Sequence, residues 1–143
     1  MPGSRPSLRA YLASAALALG GAAATDGIDA PLLGLQGDAV RGRAVVTRQS
    51  STCVLCHAGP FPNPHLQGDV GPDLRGAGAR LSAAQLRLRL VDAARANPET
   101  VMPSFYTTGG RTRAGAAWRD RPSLTAAEVE DAVAYLSTLR TPP

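Results

Sequence analysis

Cys53-Val54-Leu55-Cys56-His57 is the stretch that decides the fold, and it contains both cysteines of the chain. It has the pattern CxxCH, in which two thiols on one helical turn can form thioethers with the two vinyl groups of a porphyrin. The adjacent imidazole of His57 can then bind the iron from one side of the ring. The pattern therefore predicts one covalently bound haem c, attached at Cys53 and Cys56 and ligated by His57.

Two cysteines at this spacing also occur in disulfides, in thioredoxin-like redox sites and in zinc sites. A zinc site needs a second pair of ligands, and the only other histidine, His65, is farther from His57 than the usual finger spacing allows. A thioredoxin-like site is expected near a βαβ pattern, which the sequence lacks. Haem attachment is the interpretation that the sequence favours.

The first 24 residues have the layout of a signal peptide. Arg5 and Arg9 precede an apolar run from Tyr11 to Gly20, which is too short to cross about 30 Å of hydrocarbon as a helix. We expect cleavage after Ala24, which would leave 119 of the 143 residues, although an uncleaved anchor is the alternative. A periplasmic location is expected, because c-type haem is attached outside the cytoplasmic membrane. Two thiols also fit that oxidising compartment only if they are already bonded to another group.

The charge of the mature chain gives little support for nucleic-acid binding. The whole chain has a net charge of +4, and loss of the two signal arginines leaves 13 arginines against 11 acidic residues, a net of +2. One basic stretch contains Arg111, Arg113, Arg119 and Arg121, with a single acidic residue among them. It predicts either a docking site for an acidic partner or a solvated loop.

Helix signals occur at both ends of the predicted mature domain, residues 38–143. Asp38 is a suitable N-cap for a helix over residues 39–46, and Thr125 to Glu128 form a capping box before apolar residues at helical spacing. A second capping box, Ser82 to Gln85, predicts a helix to about Ala94, although the alternation over residues 86–90 would also suit a strand.

The segments between these helices carry turn signals. Residues 25–37 are predicted to be an extended leader, and residues 59–78, rich in proline and glycine, to be a loop. Few aromatic residues are available for a core, so we expect a haem to supply apolar bulk and the haem-free polypeptide to be largely unstructured. The sequence predicts a small all-α fold whose terminal helices pack together around a haem crevice.

Met102 is the predicted sixth ligand of the iron, because it is the only methionine left once the signal is removed. A thioether opposite an imidazole favours ferrous iron and raises the reduction potential. A buried, gap-filling methionine is the alternative role. His65 is the competing ligand, but it follows His57 so closely in the chain that it would struggle to reach the opposite face of the haem.

Gly71-Pro72-Asp73-Leu74 is predicted to support the histidine ligand. A metal-bound histidine normally donates its free N–H to a carbonyl or carboxylate, and the carbonyl of Pro72 is the candidate acceptor. Gly71 is expected to permit a close approach to the haem. Arg75 and Arg80 are candidate partners for the haem propionates, or are solvated.

The chain resembles the class I cytochromes c over most of its mature length. The resemblance rests on residues 37–42, the CxxCH string, Gly71 to Leu74, Met102-Pro103 and residues 130–136. It implies a fold of short helices around one haem. It also implies that Gly42 packs against the last helix near Tyr135.

More narrowly, the chain resembles the SoxX family, the monohaem subunits of SoxAX cytochromes. The segments that carry this are residues 71–76, 80–82, 86–92, Asn97-Pro98, 102–106 and 124–131. Ser51-Thr52 departs from the Gly-Asn expected before the first cysteine, and residues 109–121 match only loosely.

The SoxX resemblance implies a heterodimer with a larger SoxA-type haem subunit. That pair would couple thiosulfate oxidatively to a cysteine of a SoxY-type carrier protein, while this chain relays electrons through the His57/Met102 haem to a small soluble cytochrome c. This chain would not be catalytic alone. A free-standing periplasmic electron carrier and a cytochrome domain serving an unrelated dehydrogenase are the other interpretations.

Overall fold

The computed structural model describes residues 26–111 and 114–142, so the predicted signal peptide and Arg113 lie outside the described residues. The described chain contains no strand, and the predicted all-α architecture is confirmed. Its helices are α1 (Ala39–Thr47), α2 (Cys53–Cys56), α3 (Ala77–Arg80), α4 (Ala83–Val91), α5 (Ala93–Ala96) and α6 (Ala126–Thr138). Short 3₁₀ turns occur at Leu32–Gly34, Gln49–Ser51 and Pro64–Leu66.

The predicted caps form at the beginnings of the three longest helices. Asp38 accepts a hydrogen bond from the Arg41 amide at 2.8 Å and so caps α1. Ser82 with Gln85, and Thr125 with Glu128, form complete capping boxes for α4 and α6. These bonds satisfy amides that the first turn of a helix leaves unpaired.

Helices α1 and α6 pack closely because α1 has a glycine where the two backbones meet. A Cβ added at Gly42 would overlap the backbone carbonyl of Asp131 and would lie 2.8 Å from Cβ of Tyr135. Gly42 is buried in this contact. The close approach explains a glycine inside a helix, where it costs about 1 kcal/mol relative to alanine.

Charged groups hold the N-terminus of α1 on α6. The carboxylate of Asp131 is 7% exposed and accepts hydrogen bonds from the Asp38 amide at 2.7 Å and from Arg41 Nε at 2.8 Å. At the other end of α1, Arg48 contacts Glu128 at 2.6 Å. The two helices are therefore fixed both by backbone packing and by ion pairs.

Two predicted boundaries were wrong. The helix expected to reach Ala94 ends at Val91, because Asp92 leaves the helical conformation and its side chain caps α5 by accepting from Arg95 N at 3.2 Å. The loop expected over residues 59–78 ends earlier, where α3 begins at Ala77. Gly78 N donates to Leu139 O at 2.9 Å, so α3 is held against the end of α6.

The N-terminal segment is fastened to the helices by a buried ion pair. Arg87 on α4 donates to Glu130 on α6 at 2.8 Å, and the two side chains are 6% and 3% exposed. Arg87 also donates to Ile28 O at 2.6 Å, and Glu130 accepts from Leu32 N at 2.9 Å. Residues 26–37 are thus part of the packed domain, and the expectation of a merely extended leader missed these bonds.

The apolar core lies between α1, α4 and α6. Its buried members are Val45, Val46, Phe61, Leu86, Leu90, Val91, Phe105, Leu124, Val129, Ala132, Val133, Tyr135 and Leu136. More than half of these residues also line a large cavity, so the core and the cavity are continuous. Within residues 26–111 and 114–142, no helix is long and apolar enough to cross a membrane.

We predict that Gly42→Ala destabilises the haem-loaded protein by about 2 kcal/mol or more, because the added methyl group would force α1 away from α6. Denaturant unfolding measures the change. Gly109→Ala is the matched control, because a Cβ there meets nothing within 4 Å, and it should change stability by less than about 0.5 kcal/mol. Equal stability of the two variants would contradict the close helix contact.

We also predict a pH dependence for the Asp131 contacts. Hydrogen bonds from Arg41 hold the pKa of Asp131 below its usual value, against the opposing effect of burial. Because the folded-state pKa is lowered, this stabilisation is complete above the ordinary carboxyl pKa of about 4 and is lost as pH falls through the folded value.

We therefore compare the free energies of unfolding of wild type and Asp131→Asn. Their difference should be constant from about pH 7 to pH 5 and should shrink below about pH 4. Denaturant unfolding across this range checks it. Other titrating carboxylates are common to both proteins and cancel in the difference. A difference that does not vary with pH would refute the assignment.

Candidate functional site

The cavity has a volume of about 640 Å³ and brings together residues that are far apart in sequence. Cys53, Cys56 and His57 line it from the region of α2, and Met102 lines it from the loop after α5. The volume is within the range of pockets that enclose cofactors. The structure thus gathers both predicted attachment cysteines and both predicted iron ligands around one space.

Helix α2 is a single turn that carries the two thiols. Its length, Cys53–Cys56, places both cysteines on the same turn, and His57 N closes the turn by donating to Cys53 O at 2.9 Å. Thr52, just before it, has a left-handed backbone with φ of 60°. A β-branched residue is strained there, whereas the asparagine expected at this position tolerates it.

The Cys53 thiol is poorly suited to thiol redox chemistry. Both cysteines are free, so they form no disulfide. Burial raises the pKa of the Cys53 thiol to about 11. Reactive redox thiols have a lowered pKa, so the structure argues against the thioredoxin-like alternative.

His57 is oriented by its neighbours in the Gly71-Pro72 segment. Its Nδ1 lies 2.7 Å from the carbonyl oxygen of Pro72, which accepts the ring N–H. This bond assigns the proton to Nδ1 and leaves the lone pair of Nε2 for a metal. A Cβ added at Gly71 would overlap the imidazole ring, so the glycine permits the approach of His57. Gly71 also lines the cavity, and its expected close approach to the haem stays a prediction.

The Met102 loop is held by turns of its own. Met102 N donates to Thr100 Oγ1 at 3.1 Å, and Thr100 N donates to Asn97 O at 3.0 Å. After the methionine, Ser104 Oγ accepts from Ala93 N at 3.0 Å, and Phe105 N donates to Leu90 O at 2.9 Å. The loop is therefore fastened to α4 and α5 on the cavity wall.

His65 is not brought to this site. It lies in the exposed 3₁₀ turn Pro64–Leu66 and is not among the residues that line the cavity. Among the described residues, no group of three or more histidine, cysteine, aspartate or glutamate side chains is arranged to hold a metal ion. The structure therefore supports neither His65 ligation nor a zinc site.

Arginines near the rim of the cavity have different surroundings. Arg75 is paired with Asp73, whose pKa it lowers, and it does not line the cavity. Arg80 lines the cavity and donates to Asp73 O at 2.7 Å. Arg89 also lines it, half-buried, although the sequence pattern did not single it out. Of the two predicted propionate partners, Arg80 is the one placed to reach a group in the cavity.

Most of the remaining wall is apolar and fits a large flat prosthetic group. Side chains from α1, α4 and α6 and from the segments between them form it: Val45, Val46, Leu74, Leu81, Leu86, Leu90, Phe105, Leu124, Ala132 and Leu136. With two thiols, an imidazole and a thioether as its only soft or nitrogen donors, this cavity fits a haem c. Such a group exchanges single electrons through its iron.

Comparisons with known proteins agree with this geometry. The family model described as cytochrome c matches residues 39–140. Among solved structures, a chain of the crystal structure of SoxXA from P. pantotrophus is 34% identical in sequence and has a TM-score of 0.74. The match covers 81% of this chain and 91% of that chain. A search of the curated proteins found no match.

We predict that Met102→Ala abolishes the weak long-wavelength sulfur-to-iron charge-transfer band of the oxidised holoprotein and lowers its reduction potential, because the thioether is lost from the iron. Optical spectroscopy and redox titration measure the two effects. His65→Ala is the control and should leave both unchanged. A wild-type protein that lacks the band, and whose reduction potential changes in His65→Ala but not in Met102→Ala, would exchange the two assignments.

Proposed function

Because this chain belongs to the cytochrome c family, within which it is a class I c-type cytochrome resembling SoxX, we propose that it is the monohaem subunit of a SoxAX-type complex. The observation that carries the proposal is the 34% identity with a chain of SoxXA over 81% of this chain. That likeness extends well beyond the CxxCH string. Electron transfer is the general role of the chain, and thiosulfate oxidation is the specific process proposed.

In this proposal Cys53 and Cys56 hold one haem c, and His57 and Met102 ligate its iron. The group supplies a reversible one-electron couple when bound. Pro72 accepts the His57 Nδ1–H, and the hydrogen bond at 2.7 Å keeps the ring in one orientation. The apolar wall excludes water, and Thr100 fixes the backbone of Met102. None of these residues is proposed to bond to thiosulfate.

The two subunits of the proposed complex have different roles. A SoxA-type haem subunit would oxidatively couple thiosulfate to a cysteine of a SoxY-type carrier protein, and the two electrons released would pass through this chain to a small soluble cytochrome c. The predicted N-terminal signal would direct the chain to the periplasm, where c-type haem proteins of this kind work. The chain alone would have no thiosulfate activity.

A permanent subunit is supported by exposed apolar side chains beside α2. We call Leu55, Leu66 and Val70 the apolar rim; their exposed fractions are 52%, 71% and 68%. They belong to adjoining segments, because Gly68 N donates to Val54 O at 2.9 Å and Gly71 N donates to Cys56 O at 2.7 Å. Exposed apolar clusters of this kind are typical of protein–protein interfaces.

The test is purification of the tagged chain from its native host. We expect a second haem subunit to co-purify and the pair to catalyse thiosulfate-dependent electron release with the carrier protein, whereas the separated chain has no turnover. Recovery of the chain alone, fully haem-loaded, would instead indicate a free-standing electron carrier.

Two charge substitutions make this test sharper. Leu66→Glu in the apolar rim should reduce recovery of the haem partner at least ten-fold, because it buries a charge in the proposed interface. Val40→Glu is the matched control, since Val40 is 82% exposed on α1, away from the rim, and it should retain the partner. Equal retention by both variants would refute the rim as the subunit interface.

A further inference from the structure

A basic loop lies next to the Met102 side of the cavity. We define it as residues 109–123, of which 112 and 113 lie outside the described residues. Ser123 N and Leu124 N both donate to Phe105 O, at 2.7 and 3.1 Å, and Arg111 Nη2 donates to Ser104 O at 2.8 Å. Phe105 and Leu124 line the cavity, so the loop is fastened to its wall.

The arginines of this loop differ in their burial and in their contacts. Arg111 is half-buried and donates through Nη1 to the carbonyl of Arg121 at 2.7 Å, which closes the loop. Arg119 and Arg121 are exposed, and neither pairs with a carboxylate among the described residues. Among its described residues, the loop therefore presents two solvated positive charges, at Arg119 and Arg121, and in sequence Asp120 is its only acidic residue.

Trp118 lies beside these charges and is the only tryptophan of the chain. Its side chain is 64% exposed, although it is the largest apolar residue available for the core. Tryptophan and arginine are the residues most enriched among those that dominate binding energy at protein interfaces. An exposed indole next in sequence to an exposed arginine is consistent with a docking role.

We propose that Trp118, Arg119 and Arg121 dock the acidic face of a soluble redox partner that exchanges electrons with this chain. The indole would enter an apolar depression in the partner, and the two guanidinium groups would meet carboxylates at its edge. Charge complementarity selects an acidic protein. Nucleic acid is disfavoured, because the net charge of the whole chain is only +4.

The basic loop lies close enough to the cavity to serve electron transfer. The loop is attached to Ser104 and Phe105, which follow Met102 closely, so a partner seated on it lies beside the cavity. The apolar rim is attached to the other ligand side, through residues next to His57. A permanent subunit and a transient partner can then use different faces. The inference rests on electron transfer by this chain and does not require the proposed thiosulfate chemistry.

The test measures electron transfer from the reduced holoprotein to the oxidised form of an acidic blue-copper protein by stopped flow. At low ionic strength, Arg119→Glu/Arg121→Glu should slow the second-order rate about ten-fold or more, because charge steering is lost. Arg43→Glu/Arg140→Glu, which reverses two exposed arginines elsewhere, is the charge-matched control and should slow it far less. The rates of wild type and of the two charge-reversal variants should converge near 1 M salt, where charges are screened.

Nuclear magnetic resonance of the single indole N–H gives a second measurement. Its signal should shift as the reduced blue-copper protein is added, and Trp118→Ala should slow electron transfer at both low and high salt. The haem spectrum, which depends on His57 and Met102, shows that each variant is intact. Equal rates for the loop and control variants, an unmoved indole signal, or binding of the loop to anionic lipid vesicles without a rate effect would overturn the proposal.

Discussion

The cavity beside the CxxCH turn is the constraint on which the rest of the structure depends. Its walls are largely the apolar core itself, with Leu86, Leu90 and Leu136 belonging to both. The chain has few aromatic residues, and its side chains enclose a space of about 640 Å³ at this point. Burial of apolar surface is the dominant favourable contribution to folding, so a large apolar group fixed in this cavity is the natural means of completing the core.

The helical framework places the ligand-bearing segments around that cavity. The contact of Gly42 with α6 and the Asp131 hydrogen bonds hold α1 in place, and the buried pair of Arg87 and Glu130 joins α4 to α6. Breaking a buried pair by removal of one partner leaves an uncompensated charge, which makes such a link costly to change. The single turn of α2 and the Met102 loop are short segments whose positions depend on this framework.

Much of the fold was predictable because its signals are local. The capping residues Asp38, Ser82 and Thr125 act on amides three positions away, and the CxxCH spacing places two thiols on one turn. The break at Asp92 was missed because an aspartate inside an apolar pattern can end one helix and cap the next. The Arg87–Glu130 pair was missed because its partners are 43 positions apart and each looks like a surface residue in the sequence. The contact of Gly71 with the His57 imidazole was missed for the same reason, since a sequence shows that space is needed but not for which group.

The proposed function depends most on a haem joined covalently to Cys53 and Cys56. Intact-mass spectrometry of the protein isolated from its native host under denaturing conditions tests this most directly, because a covalent group stays with the chain after unfolding. The expected result is the mass of the polypeptide plus one haem, and the loss of that addition when both cysteines are replaced by serine. A native chain with the mass of the polypeptide alone would contradict it.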